Sequence, residues 1–170
     1  MNQTNVTNWV WIFDKNFNKS SKIKFLLGNC SFCGGSIISK SHILTAAHCV
    51  VGKSIYDITV MYGTRRRPTL DKTLSDKHFA YIKKIDLYND FNSADSWKTT
   101  SDVAILTLEE PLIFSETVKA ICLPSETSSS FEYYQATIAG WGLQGRKNSD
   151  SVELLEGTVG VIPNVRCQET

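Results

Sequence analysis

The stretch Leu44-Thr45-Ala46-Ala47-His48-Cys49, preceded by Cys33-Gly34-Gly35-Ser36, sets a histidine between two cysteines that stand 16 positions apart. An acidic residue 54 positions after that histidine opens an apolar run, Asp102-Val103-Ala104-Ile105-Leu106-Thr107-Leu108. Imidazole is the side chain whose unperturbed pKa lets it accept a hydroxyl proton near neutral pH. A carboxylate beside it fixes its tautomer and stabilises the imidazolium that forms. His48 is therefore the candidate base. His42 and His78 lack such a context and read as surface or packing residues.

Short segments rich in β-branched and aromatic residues recur between turn-formers on both sides of these motifs. They run Trp9 to Phe13, Lys22 to Leu27, Gly35 to Ile38, Asp57 to Tyr62, Tyr81 to Leu87, Val103 to Leu108, Tyr133 to Ala139 and Val152 to Ile162. Such spacing, with no long segment of 3.6-residue period, predicts an all-β barrel or sandwich. Helix is expected only over Ala46 to Val50 and after Asn164, with Asn164 as N-cap. The polar stretch Asp90 to Ser101 reads as a loop delivering Asp102 to its strand, and Glu126 to Ser130 as a connection between two units.

A chain of 170 residues, 42% of them hydrophobic, is long enough to bury a sizeable core. Its formal charge of +1 gives no sustained basic face for nucleic acid or an anionic membrane, so neither partner is expected. The one dense basic run, Arg65-Arg66-Arg67, reads as a solvated loop, with a secondary substrate-binding patch or a cleavage point as the alternatives. No apolar run reaches the roughly 20 residues of a membrane span, and Met1 to Asp14 lacks the basic-then-apolar order of a secretory signal. Four Asn-x-Ser/Thr sequons, at Asn2, Asn5, Asn18 and Asn29, exceed the one or two that chance would give, roughly, and point to an extracellular protein.

In their order and their individual residues, the His48 and Asp102 motifs resemble those of the trypsin-like serine endopeptidases. Ala139-Gly140-Trp141-Gly142 resembles that family's signature near the start of its second barrel, and Leu154-Leu155-Glu156 to Cys167 resembles the family's next segment. The resemblance implies an all-β, chymotrypsin-like double β-barrel, the first barrel complete and the second truncated. The expected organisation is a poorly matched segment over 1–29, a first barrel over 30–124 bearing His48 and Asp102, and a linker with the second barrel's opening strands over 125–170. Trp9 to Phe13 is a candidate for the family's first strand.

The same resemblance implies cleavage of peptide bonds in protein or peptide substrates outside the cell. His48 would be the general base and Asp102 its orienting carboxylate, with no cofactor. It implies a Cys33–Cys49 disulfide, likens Cys122 to the cysteine that ties the domain to a pro-segment, and likens Cys167 to one bonded further downstream. Cys30 has no counterpart. The loop from Gly63 to Lys77 lacks the glutamate pair that a calcium site would use. A zinc alternative would draw on Cys30, Cys33, His42 and His48, but it explains four side chains where the protease pattern explains whole motifs.

Two family features are absent from the 170 residues. There is no Ile-Val-Gly-Gly start, and no Gly-Asp-Ser-Gly-Gly motif to supply a nucleophile. Ser36 falls where the family has a structural strand and Ser128 to Ser130 fall in the linker, so neither replaces it. These residues alone are therefore expected to be inactive. The alternative is a non-catalytic homologue that acts as a protein-binding module.

Overall fold

The computed structural model describes residues 9–14, 32–66, 79–89, 91, 101–125, 130–144 and 147–167. Eleven strands and one short helix occur in order: β1 Trp9–Asp14, β2 Phe32–Ser39, β3 His42–Thr45, β4 Ile58–Met61, β5 Phe79–Ala80, β6 Ile82–Leu87, β7 Ala104–Leu108, β8 Gln135–Gly140, β9 Leu143–Gln144, β10 Lys147–Asp150, β11 Leu155–Gly160 and α1 Asn164–Cys167, counted among these described residues. Two single 3₁₀ turns, Ala47–Cys49 and Ile55–Asp57, lie between β3 and β4.

Seven strands form one antiparallel sheet in the order β5-β4-β1-β2-β3-β7-β6. Its two terminal strands, β5 and β6, are separated only by Tyr81. One continuous stretch thus pairs with β4 at its start and with β7 at its end, which closes the sheet on itself. Closure removes the free edges that an open sheet would present.

The interior reflects two-residue alternation. Along β7, Ala104, Leu106 and Leu108 are buried while Ile105 and Thr107 are half-buried. Val10, Ile12, Ile37, Ile43, Ile58, Val60 and Ile82 belong to the same core. In β4 all four residues are buried, because both its faces are covered. Ile58 and Val60 turn into the barrel, while Met61 packs with Trp141 and Leu154 in a second cluster, flanked by Trp9, Phe79 and Ala139. β4 is thus the wall between the barrel and the chain after residue 130.

That later part pairs β8 with β11 and β9 with β10, each as a two-stranded antiparallel ribbon. Besides that cluster, one carbonyl fastens it to the barrel by two hydrogen bonds. Arg65 O accepts from the indole Nε1–H of Trp141 at 2.9 Å and from the backbone N–H of Leu154 at 2.7 Å. Next to it, Arg66 Nε lies 2.9 Å from Glu153 Oε1.

Several expectations shift in detail. β1 lies between β2 and β4, so the barrel draws a strand from residues 1–29. β8 starts two residues later than expected because Tyr133 has a left-handed φ of 66°, a conformation that breaks a strand. β11 starts at Leu155 rather than Val152 because the Ser151 hydroxyl donates to Glu153 O and accepts from Glu153 N–H, bending the chain first. Asn164 is the first helical residue and not the cap. Pro163 O receives the N–H groups of Arg166 and Cys167 and so starts α1. The strand expected over Lys22 to Leu27, together with Cys30, His78, Arg67 and the four sequon asparagines, lies outside the described residues.

Candidate active site

Each partner of the candidate pair is set by a strand end. β3 stops at Thr45, whose hydroxyl donates to Gly34 O on β2 at 2.9 Å and pins the strand's exit. The 3₁₀ turn after it buries Ala47 completely. Cys49 is bonded to Cys33, with a Cα–Cα separation of 6.1 Å, within the usual range for a disulfide. His48 stands between these two anchors and turns outward, its side chain 62% exposed.

Asp102 is delivered by a tight turn. Ser101 has a left-handed φ of 67°, and Val103 N–H donates to Ser101 O at 2.8 Å, closing a three-residue turn centred on Asp102. β7 then begins at Ala104, directly opposite Thr45 on β3. This register brings together two residues 54 positions apart, because His48 lies three residues beyond Thr45 and Asp102 two before Ala104.

The carboxylate holds the histidine at two points. Asp102 Oδ2 lies 2.6 Å from His48 Nδ1, and Asp102 Oδ1 accepts from the His48 backbone N–H at 2.8 Å. The bond from the His48 ring, with that from the His48 backbone second in weight, holds the Asp102 carboxyl below its ordinary range. Because a carboxylate only accepts, the hydrogen of this contact belongs to Nδ1, which leaves Nε2 as the acceptor nitrogen of a neutral ring. Nε2 lies 3.4 Å from Cys49 Sγ.

The other candidates are placed elsewhere. His42 Nδ1 makes a 2.8 Å hydrogen bond with Ser39 Oγ, which also accepts from Ser41 N–H, so this histidine belongs to the β2–β3 turn. The zinc alternative loses a ligand because Cys33 is in a disulfide. Cys122 and Cys167 are exposed, and no described cysteine bridges to either. Two features of the site carried no sequence signal: the left-handed Ser101, a backbone state that a serine does not announce, and the backbone N–H of His48 as second donor to Asp102.

The trypsin family model matches residues 6–170. The chain belongs to the trypsin family. It is 36% identical over 141 residues to the venom serine protease Bi-VSP of Bombus ignitus, an alignment that covers 81% of this chain and 38% of that protein. It is 29% identical over 135 residues to chymotrypsin-C of Rattus norvegicus, covering 79% and 48%. The chain thus spans about half or less of these two relatives. Among solved structures, a scabies mite inactivated protease paralogue, S-D1, superposes with a TM-score of 0.72 at 25% identity, covering 95% of this trypsin-family chain and 60% of that one. The fold is accordingly chymotrypsin-like.

Proposed function

We propose that this chain supplies the base and its orienting carboxylate to a serine-type endopeptidase that cleaves protein substrates outside the cell. One observation carries the reading: the 2.6 Å contact between His48 Nδ1 and Asp102 Oδ2 beside an outward imidazole. In this mechanism Nε2 takes the proton of an attacking serine hydroxyl, Asp102 stabilises the resulting imidazolium, and Nε2 returns the proton to the leaving amine. The serine and the amide donors for the oxyanion are not provided by a Gly-Asp-Ser-Gly-Gly sequence within these 170 residues. A polypeptide limited to them is inactive on this account. The extracellular setting is supported by the Cys33–Cys49 bridge, which persists in oxidising compartments, and by the N-terminal sequons.

A second reading is favoured by the inactivated paralogue among the structural neighbours: a protease-like fold that binds a protein partner without cleaving it. A fluorophosphonate probe, which reports an activated serine, separates the two. On the first reading, the whole protein carrying this chain is labelled, its His48→Ala form is labelled at least about 10³-fold more slowly, given that loss of the histidine alone costs on the order of 10⁶ in turnover, and the 170-residue polypeptide is not labelled. Absence of labelling of the whole protein supports the binding module and ends the proteolytic reading.

A further inference from the structure

Asp102 sits between two unlike anchors. On its C-terminal side Val103 O accepts from Tyr88 N–H at 3.0 Å and Ala104 lies opposite Leu87, which locks the start of β7 to the end of β6. On its N-terminal side the chain turns at Ser101, whose φ is 67°. We infer that Ser101 is a positioning residue for the His48–Asp102 pair: its left-handed backbone, and not its hydroxyl, aims the Asp102 carboxylate.

Three observations carry this. First, the target allows little error. The carboxylate must reach two acceptor-seeking groups at once, the His48 ring at 2.6 Å and the His48 backbone N–H at 2.8 Å, and both belong to a turn pinned by the Cys33–Cys49 bridge. Second, few torsions are free to adjust. Val103 N–H donates to Ser101 O at 2.8 Å, so Asp102 is the centre of a three-residue turn. With Val103 locked on one side, a residue at 101 that resists positive φ passes its strain to the torsions of Asp102, and these set where the carboxylate points.

Third, the conformation is disfavoured for the residue that holds it. Positive φ comes without penalty to glycine, as at Gly52 and Gly63, and asparagine tolerates it better than serine does. Strained backbone of this kind persists where its surroundings over-determine it, and it gathers at active sites. Among the described residues the Ser101 hydroxyl has no hydrogen-bond partner, so the side chain does not account for the turn. The aiming of Asp102 is a matter of geometry alone, whereas its consequence for turnover rests on the proteolytic reading.

The test compares Ser101→Thr, which keeps a hydroxyl but adds a β-branch that makes positive φ an outlier, with Ser101→Asn and Ser101→Gly, which drop the hydroxyl and accept that φ. In the histidine-labelled 170-residue chain, the downfield Nδ1 proton of His48 is expected to remain in Ser101→Asn and Ser101→Gly. In Ser101→Thr it should exchange with water at least about fivefold faster, because the contact opens more often. In the whole protein, Ser101→Thr should lower kcat on a peptide ester about 10- to 100-fold, the scale of a misplaced catalytic group. KM should stay within about threefold, since no substrate contact is touched, and Ser101→Asn should recover most of the lost turnover. An inactive whole protein would end the proteolytic reading and leave the proton measurement to decide the positioning role. A wild-type proton in Ser101→Thr overturns the inference, as does its loss in Ser101→Gly to the same extent as in Ser101→Thr. Urea unfolding is measured on each variant, and loss of the whole fold in Ser101→Thr would make Ser101 a structural residue and overturn the inference too.

Discussion

Asp102 bonds to His48 twice, through Oδ2 to the ring Nδ1 at 2.6 Å and through Oδ1 to the backbone N–H at 2.8 Å. The first contact fixes the ring and the second fixes the turn that carries it. Asp102→Asn separates them. The amide oxygen can still accept from the backbone N–H, but the NH₂ group now donates to Nδ1 and forces the hydrogen onto Nε2. On the proteolytic reading proposed above, turnover of the whole protein on a peptide ester should fall about 10⁴-fold, the loss known for this change in a Ser-His-Asp triad. The far-ultraviolet dichroism should stay the same, because the backbone N–H of His48 keeps its acceptor.

The lowered carboxyl of Asp102 has a defined acid limb. Its folded-state pKa lies below the unfolded value of about 3.9. The pair therefore adds stability that is fully present above the unfolded value and is lost as pH falls through the folded one. In denaturant titrations between pH 6 and pH 2, the wild-type advantage over Asp102→Asn should hold down to about pH 4 and shrink below it. An advantage that grew on acidification would contradict the bond as the cause.

Gly35 tests the packing beneath the site. A Cβ there would meet Ile43 Cγ2 and Leu44 O at 3.0 Å and Ile12 Cδ1 at 3.1 Å, and Leu44 O is backbone that cannot swing aside. Gly35→Ala should destabilise the barrel by about 1–3 kcal/mol, the cost of overpacking a filled core. Urea unfolding curves at constant slope would give the value.

Trp141→Phe keeps an aromatic ring against Met61 and Leu154 and removes the Nε1–H that reaches Arg65 O. Leu154 N–H still serves that carbonyl, so no acceptor is stranded. The expected loss is about 0.5–1.5 kcal/mol, that of one hydrogen bond. Limited proteolysis should show it as faster cleavage after residue 130 than within the barrel.

Much of this was legible in the sequence, and the reasons are local. The His48 motif and the Asp102 strand combine residue identity with apolar patterning, so both the chemistry and the elements could be read. β3 was hidden inside the histidine motif, where four strand residues run straight into a 3₁₀ turn. β9 and β10 are too short or too polar to show an alternation. The contact between Trp141 and Arg65 spans 76 positions and left no trace, because a backbone carbonyl carries no side-chain identity. The strand starts expected at Tyr133 and Val152 fall later, at Gln135 and Leu155, for a related reason: a left-handed Tyr133 and a turn at Ser151 override propensity without changing composition.

The base role requires that Asp102 hold the His48 ring with its hydrogen on Nδ1 and its lone pair on Nε2. Heteronuclear NMR of histidine-labelled protein, recorded at a pH where His48 is neutral and assigned through His48→Ala, reads this directly. The expected spectrum shows a protonated Nδ1 with a strongly downfield proton that Asp102→Asn abolishes, and an Nε2 shift typical of an unprotonated ring nitrogen. A neutral ring protonated at Nε2, or a spectrum indifferent to Asp102, would contradict it.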